Sequence, residues 1–443
     1  MTVIVRYAPS PTGRLHLGNA RPAVLNWLFA QRQGGQFVLR LDDTDTARST
    51  EEFAQGIETD LAWLGIVPDR KARQSDRFAS YDAARDRLIA MGRLYPAYET
   101  ADELDRKRKR ARALGKPPVY DRAALSLTQE DKARLEAEGR KPHWRFRLDG
   151  RPVKFLDLIK GEQTVNTASM SDPVLIREDG TYLYTLPSVV DDIEMGITHV
   201  IRGEDHVSNT GTQIEIFEAL GGPVPVFAHH NLLTDSEGQG FSKRLGSLSL
   251  AQLRAEGYEP LAVAIMAAIT GTSLPVEPYA SLADIAEKLD FSMISHGSAR
   301  FDVAELAGLN ARIVHALDFA AVQDRLGAKG EGISEPVWLA LRENIARFPQ
   351  FLPLYEEIFV SATPLIADED RDFIATARDL LPPEPWDGDT WGAWTGAIKA
   401  ATGRKGKALF LPLRRALTGR DEGPELRALL PLLGRKASLD RLS

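Results

Sequence analysis

The residues with the clearest chemical use lie in a turn near the N terminus, between Arg6 and Asn19. An apolar segment at residues 3–5 precedes this turn, and apolar residues then recur at helical spacing up to a Gly-Gly pair. A strand, a turn rich in Pro and Gly, and a helix N terminus together open many nucleotide-binding α/β units. The free N–H groups and the positive dipole end of such a helix favour phosphate.

Two residues of this turn suit contact with a nucleotide. Gly18 has no side chain, so an adenine ring or a phosphate could lie against its backbone. His16 could direct a hydrogen-bond donor to the same place and stabilise negative charge on phosphorus. A His-x-Gly sequence alone is also compatible with a surface loop that carries a capping histidine.

The complete run resembles the adenylate-forming site of class I aminoacyl-tRNA synthetases, and in particular their glutamyl/glutaminyl branch. The resemblance is carried by Pro9-Ser10-Pro11-Thr12-Gly13 followed by His16-Leu17-Gly18-Asn19. It departs from the class pattern where Asn19 replaces a second His. It implies that His16 is catalytic and that Pro9, Ser10, Gly18 and Asn19 contact ATP.

A second motif, Phe241-Ser242-Lys243-Arg244, lies about 220 residues further on. It resembles the K-M-S-K-S loop of the same class, in the S-K-R form of glutamyl enzymes, with Gly240 where the family has its first Lys. ATP activates a carboxylate through a highly charged state at the α-phosphate, so cationic donors contribute most. The resemblance implies catalytic roles for Lys243 and Arg244 and an ATP contact for Ser242.

A third set of residues suits an amino acid with a carboxylate side chain. Arg6 and Arg202 are expected at strand ends of the two halves of the sheet, where both could converge on one carboxylate. The resemblance implies this role for both, and an α-amino anchor for Asp42, where relatives usually have Glu. Further glutamate contacts implied by the resemblance are Ala8, Ser10, Tyr184 and Ser188.

Other polar pairs leave alternatives open. Asp191-Asp192 and Glu204-Asp205 could be metal or ribose contacts, or strand-end caps and arginine partners, and we favour the structural role for Asp191-Asp192. The resemblance implies that Glu204 lies near ATP. His229-His230 has no third ligand at metal spacing. We expect Mg²⁺ to accompany ATP, held largely by phosphates and water.

Composition limits the class of protein. The 443 residues suit about three domains, and the absence of Cys excludes disulfides and thiolate zinc sites, so no zinc is expected. The most apolar run, residues 261–269, is too short to span a membrane, and no N-terminal signal is expected. We expect a cytoplasmic monomer without membrane contact. The net charge of −7 does not exclude RNA, because basic residues cluster at 106–110 and 404–415.

The pattern of elements predicts an α/β fold. We expect a Rossmann-type parallel sheet split by an α+β insertion, then a helical stem-contact region and an all-α anticodon-binding domain. The predicted parts are the first half of the catalytic domain (1–97), an acceptor-end-binding insertion (98–181), the second half (182–231), a stem-contact region with the S-K-R loop (232–310) and the helical domain (311–443).

The resemblance implies a glutamyl-tRNA synthetase that uses ATP, L-glutamate and tRNA(Glu) and forms a glutamyl-adenylate. One alternative is a non-discriminating enzyme that also charges tRNA(Gln), and another is a non-catalytic tRNA-binding paralogue. A glutaminyl enzyme is disfavoured because its relatives carry β-barrel anticodon domains, whereas the C-terminal pattern here is helical. A short tRNA-modifying relative is disfavoured because it would lack residues 311–443.

Overall fold

The computed structural model describes residues 2–235 and 249–443. Its contacts divide the chain into two compact units, one of Met1–Ala255 and Val263–Asp302 and the other of Glu256–Ala262 and Val303–Ser443. The strands of the described residues are β1 Ile4–Tyr7, β2 Gln36–Leu41, β3 Arg70–Arg73, β4 Leu94–Ala97, β5 His143–Phe146, β6 Pro152–Asp157, β7 Gly161–Asn166, β8 Val174–Ile176, β9 His199–Gly203, β10 Val226–His230, β11 Leu233–Thr234 and β12 Ala299–Arg300.

Within residues 2–235 and 249–443 the helices outnumber the strands. They are α1 Leu17–Arg32, α2 Glu51–Trp63, α3 Phe78–Ala90, α4 Ala101–Ala113, α5 Gln129–Ala137, α6 Thr185–Glu194, α7 Val207–Ala219, α8 Leu250–Ala255, α9 Pro260–Ile269, α10 Leu282–Lys288, α11 Val303–His315, α12 Phe319–Leu326, α13 Glu335–Leu341, α14 Phe351–Tyr355, α15 Arg371–Asp379, α16 Thr390–Thr402, α17 Lys407–Thr418 and α18 Leu426–Arg441. The last of these is interrupted at Gly434, whose φ is +76°.

A seven-stranded sheet in the order β3-β2-β1-β9-β10-β6-β7 forms the centre of the first unit. All neighbouring strands in it are parallel except β6 and β7, which are antiparallel. Strand β1 is almost continuously buried, as expected for a parallel strand covered on both faces. Strands β1 and β9 are neighbours although about 190 residues separate them, so the two halves of the sheet meet at this pair.

The segment predicted as an insertion contributes to two different sheets. Strands β4, β5 and β8 form a separate antiparallel sheet, whereas β6 and β7 extend the large sheet beyond β10. The large sheet therefore continues into the range 98–181. The five-part division of the chain stays a prediction. It assigns β6 and β7 to the insertion, although both strands belong to the large sheet.

In the described residues 303–443, which form most of the second unit, all regular secondary structure is helical. Its core is built around two fully buried tryptophans, Trp338 and Trp394. The indole N–H of each donates to a backbone carbonyl, that of Leu317 at 3.2 Å and that of Ala377 at 2.8 Å respectively. Burying these large rings with their N–H groups satisfied stabilises the helical packing. The predicted fold class, a parallel α/β sheet followed by a helical C-terminal region, is confirmed. None of the described helices is long and apolar enough to cross a bilayer.

Candidate active site

A cleft opens at the carboxyl ends of β1 and β9, the edge of a parallel sheet at which ligands usually bind. Its volume is about 400 Å³, which suits a small molecule. Its lining comprises Arg6, Tyr7, Ala8, Pro9, Ser10, Gly18, Asn19, Pro22, Tyr184, Ile201, Arg202, Gly203, Asp205, His206, His230 and Leu232.

The cleft brings together many of the residues predicted from the sequence. Those that line it are Arg6, Ala8, Pro9, Ser10, Gly18, Asn19, Tyr184 and Arg202. Four others lie outside this lining, namely His16, Asp42, Ser188 and Glu204. Ser242, Lys243 and Arg244 are outside the described residues, so their assignments stay predictions.

The turn between β1 and α1 is tied to its surroundings by backbone hydrogen bonds. The N–H of Asp42 donates to the carbonyl of Pro9 at 2.9 Å, and that of Thr50 donates to Pro11 at 3.2 Å. The hydroxyl of Tyr7 donates to the carbonyl of Asn19 at 2.9 Å. Burial raises the pKa of Tyr7, so this hydroxyl stays protonated and the hydrogen bond holds the first turn of α1 against β1.

His16 is the N-cap of α1, with extended φ and ψ of −112° and 168°. Its Nδ1 accepts from the N–H of Asn19 at 3.3 Å, which satisfies one of the free donors of the helix. Because Nδ1 accepts, the ring proton of the neutral imidazole is assigned to Nε2, which remains a donor. Burial lowers the pKa of His16, so the ring is neutral at pH 7.

The first described residues after position 248 are held beside the same turn. Ser249, the first described residue after it, forms a backbone bridge with His16. The N–H of Leu250 donates to the carbonyl of Leu15 at 2.9 Å. The chain therefore resumes at the N terminus of α1, next to the cleft.

Arg202 is buried, and its guanidinium is held by neutral groups. It donates to Nε2 of His229 at 3.1 Å, to the hydroxyl of Tyr184 at 3.2 Å and, within the same cluster, to Thr210 Oγ1 at 2.8 Å. Among the described residues, no carboxylate oxygen lies within 4.0 Å of its nitrogens. Burial lowers the pKa of Arg202, as expected for a cation removed from water without a carboxylate partner. The cleft thus contains a cation that an anionic ligand would stabilise.

His229 and Asp157 hold Arg202 in this orientation. Nδ1 of His229 lies 2.5 Å from Oδ2 of Asp157, and the N–H groups of Ile159 and Lys160 donate to the other oxygen, each at 2.9 Å. Burial opposes ionisation of Asp157, but these hydrogen bonds together lower its pKa. The carboxylate therefore keeps the ring proton of His229 on Nδ1 and leaves Nε2 to accept from Arg202.

A charged network behind the cleft was not predicted from the sequence, and Arg40 is its centre. Arg40 is fully buried and donates to both oxygens of Asp42, at 2.7 and 3.2 Å, and to Oδ1 of Asp192 at 2.7 Å. Asp192 also accepts from Nε of Arg6 at 3.1 Å. Ser188 contributes its hydroxyl, which lies 3.3 Å from Arg40. Asp42 and Ser188 therefore contact Arg40 and lie behind the cleft lining.

Burial raises the pKa of Asp42 to about 6, although Arg40 opposes the shift. The neighbouring Asp191 accepts from Gln74 and Tyr81, each at 2.9 Å, and from Arg77 at 2.6 Å. Asp191 and Asp192 are thus arginine and hydrogen-bond partners, which is the structural role favoured for them.

Glu204 is paired with a lysine and not directed into the cleft. Its Oε2 lies 2.6 Å from Nζ of Lys160. The neighbouring Asp205 and His206 line the cleft instead. The sequence left open whether Asp205 is a metal or ribose contact or has a structural role, and it gave no prediction for His206. Within residues 2–235 and 249–443, no group of three His, Cys, Asp or Glu side chains is arranged to hold a metal ion.

Family comparisons agree with the fold. The family described as tRNA synthetases class I (E and Q), catalytic domain, matches residues 2–307. A second family, described as an anticodon binding domain, matches residues 340–443. The chain thus belongs to the class I aminoacyl-tRNA synthetases of the glutamate and glutamine branch.

Relatives that match over their full length distinguish between the glutamate and glutamine members of this class. A glutamate–tRNA ligase 2 from Methylobacterium sp. is 61% identical over 100% of this chain and 99% of its own length. Another, from Methylorubrum populi, is 58% identical over 99% of this chain and 98% of its own. A solved glutamate tRNA ligase from Elizabethkingia meningosepticum, in complex with its amino acid, has a TM-score of 0.85 and 27% identity, covering 100% of this chain and 98% of that one. The chain belongs to the glutamate–tRNA ligase family.

Proposed function

We propose that the chain ligates L-glutamate to tRNA(Glu) in two steps, through a glutamyl-adenylate formed from ATP. The observation that carries this proposal is the buried Arg202, which lines the cleft without a carboxylate partner among the described residues. A glutamate side chain supplies the missing charge, whereas glutamine would leave the cation uncompensated. The setting is cytoplasmic, the enzyme acts as a monomer, and no membrane is involved.

The amino acid is bound by residues of the cleft lining and by residues directly behind it. Arg202 and Arg6 bind the side-chain carboxylate, and Tyr184 fixes one nitrogen of Arg202. Nε of Arg6 is occupied by Asp192, so its terminal nitrogens remain for the ligand. Asp42 attracts the α-amino group, and further contacts come from Ala8, Ser10 and Ser188.

ATP binds along the N terminus of α1. Pro9, Ser10, Gly18 and Asn19 line the cleft there, where free N–H groups favour phosphate. Nε2 of His16 donates to the α-phosphate as negative charge develops. Ser242 and Glu204 complete the nucleotide contacts, although Glu204 is paired with Lys160 and lies outside the cleft lining.

Lys243 and Arg244 supply the cations that stabilise departing pyrophosphate. Lys243 stands six positions before Ser249, which pairs with His16. Because no residue has to act as a covalent nucleophile, catalysis consists of positioning and electrostatic stabilisation.

Mg²⁺ enters with ATP as part of the substrate. The described residues provide no three-ligand protein site, which fits an ion held mainly by phosphate oxygens and water. No zinc is required. The chain has no Cys to supply thiolate ligands.

The helical region after residue 311 reads the anticodon of tRNA, and the segment 98–181 receives its acceptor end. The match of residues 340–443 to an anticodon binding domain supports the first assignment. The basic helix α4, which has no buried residues, supports the second.

The decisive experiment is ATP–pyrophosphate exchange with glutamate in the presence of tRNA. Exchange that depends on glutamate supports the proposal, whereas no exchange with any tRNA would favour a tRNA-binding paralogue. Aminoacylation of tRNA(Glu) and tRNA(Gln) side by side then measures discrimination. Charging of both would identify a non-discriminating enzyme.

A further inference from the structure

We propose that Arg40 is a positioning residue that sets the distance between the two ends of the glutamate pocket. It does so by holding Asp42 directly and Arg6 through Asp192. This inference rests on the proposed function, because it assumes that Asp42 and Arg6 bind opposite ends of glutamate. It adds a residue that contacts neither substrate and has no assigned role.

The first step of the argument is the geometry around Asp42. Nε and Nη2 of Arg40 donate to Oδ1 and Oδ2 of Asp42 at 2.7 and 3.2 Å, a two-point contact that fixes the plane of the carboxylate. Arg40 and Asp42 are two positions apart on one strand and its exit, so they share a face of the sheet. Asp42 is 7% exposed and has little freedom to turn.

The second step is the link to Arg6 on the neighbouring strand. The remaining terminal nitrogen of Arg40, Nη1, donates to Oδ1 of Asp192 at 2.7 Å. The same oxygen accepts from Nε of Arg6 at 3.1 Å, and Oδ2 lies 3.4 Å from that nitrogen. Charges alternate along the chain of contacts from Asp42 through Arg40 and Asp192 to Arg6. A displacement at one end therefore changes the contacts at the other.

The third step is burial. The Arg40 side chain is 0% exposed, and those of Asp192 and Arg6 are each 4% exposed. Water cannot replace a lost contact in such a network, so each member is needed to satisfy its neighbours. The cleft lining includes Arg6 but not Arg40, so Arg40 acts through others.

The test compares Arg40→Lys with a matched control, Arg77→Lys. Both changes keep the charge and remove a guanidinium that donates to the Asp191-Asp192 pair. Arg77 donates to Asp191 at 2.6 Å, and its ion-pair partners among the described residues, Asp191 and Glu194, do not include Asp42. For Arg40→Lys we expect the KM for glutamate to rise about 10- to 100-fold, the range for a lost hydrogen bond to a charged group. The KM for ATP should stay within twofold, and Arg77→Lys should leave both KM values within twofold.

A purely structural role of Arg40 predicts a different pattern. Partial unfolding would lower the apparent kcat without changing the KM for glutamate. A positioning role also predicts that the rise of this KM at low pH begins at a higher pH in Arg40→Lys, because Asp42 has lost its two-point partner. An unchanged KM and an unchanged pH profile would overturn the inference.

Asp192→Asn gives an independent measurement if Arg40→Lys does not fold. It removes the charge that joins Arg40 to Arg6 and keeps the shape of the side chain. The KM for glutamate should rise while its pH profile stays that of the wild type, because the contact of Arg40 with Asp42 remains. In the double variant, the KM for glutamate should rise by less than the product of the two single-variant increases, since both substitutions act through one chain of contacts. An increase equal to that product would overturn the proposed link from Arg40 through Asp192 to Arg6.

The wild-type assay separates this inference from the proposed function. Without glutamate-dependent exchange in the wild type, the function itself is wrong and the inference falls with it. With exchange in the wild type and an unaltered Arg40→Lys enzyme, only the role of Arg40 is overturned.

Discussion

Nε of Arg202 donates to Nε2 of His229 at 3.1 Å, so a cation in the cleft wall is oriented by a neutral imidazole. The imidazole can accept only while Asp157 keeps its proton on Nδ1, across 2.5 Å. Burial lowers the pKa of His229, which keeps the ring neutral beside Arg202. The arrangement fixes the direction of Arg202 without neutralising its charge, and the charge stays available to a ligand.

Replacing Arg202 should remove the preference for glutamate. For Arg202→Ala we expect kcat/KM for glutamate to fall at least 30-fold, the lower end of the roughly 2 to 5 kcal/mol cost of losing one member of a buried charge pair. The ratio of kcat/KM for glutamate to that for glutamine measures the effect. Arg32→Ala is the control, because it removes a half-exposed arginine whose partner is Asp290 at 3.2 Å. Saturation at the wild-type glutamate concentration would contradict the role of Arg202.

Replacing Lys243 should affect the reaction rate and leave stability almost unchanged. Loss of one donor to developing charge typically lowers kcat about 10²- to 10³-fold, and we expect this for Lys243→Ala. Single-turnover formation of the adenylate and thermal unfolding of the same samples measure the two quantities. Lys71→Ala, which removes an exposed lysine paired with Glu58, is the control. Wild-type turnover in Lys243→Ala would rule out its assigned role.

The binding of glutamate should weaken as the pH falls through about 6, the value to which burial raises the pKa of Asp42. Below this pH the carboxyl group is protonated and neutral, so it no longer attracts the α-amino group. The KM for glutamate, measured between pH 5 and 8 with the KM for ATP as a reference, should rise towards the acid end. In Asp42→Asn the KM should be high and independent of pH over this range. A flat profile in the wild type would exclude Asp42 as the amino-group anchor.

His230 should make the folded state sensitive to acid. Its pKa falls from 6.5 to about 3, first because of burial and then because of the nearby Arg21. The unfolded chain binds a proton at this residue below pH 6.5 while the folded chain does not, so stability is lost as the pH falls below 6.5. At pH 5 this effect lowers the free energy of unfolding by about 2 kcal/mol.

Urea unfolding of His230→Met at pH 7.5 and pH 5 measures this contribution. The apolar side chain does not titrate. Between pH 7.5 and pH 5, the free energy of unfolding of the variant should therefore fall by about 2 kcal/mol less than that of the wild type. It also removes Nε2, a buried nitrogen that has no hydrogen-bond partner in the part of the chain that the structure describes. An equal loss of stability in both proteins would show that His230 does not contribute.

The sequence predicted the cleft wall better than the layer behind it. The turn from Arg6 to Asn19 and the start of α1 follow from local patterns and a contiguous motif. Arg40 was missed because it stands inside an apolar strand, and its partner Asp192 is 152 positions away. A charged residue in a buried strand was the available signal, because such a residue needs a partner. Which carboxylate serves as that partner depends on long-range packing.

Long-range pairing also explains the unpredicted extent of the large sheet. The segments that form β6 and β7 were assigned to an insertion because they follow two charged helices. Their place beside β10 depends on parallel pairing with a strand about 70 residues later, which local periodicity does not reveal. Asp157, at the end of β6, was missed as the partner of His229 for the same reason.

The position of β6 limits how far this protein can be treated as a set of exchangeable modules. Asp157 lies within residues 98–181, the segment predicted to bind the acceptor end, yet it orients the imidazole that directs Arg202. A chimera joined at residues 98 and 181 therefore inherits part of its amino-acid selectivity from the donor of the graft. Recombination that preserves selectivity has to leave β6 and β7 with the parent sheet.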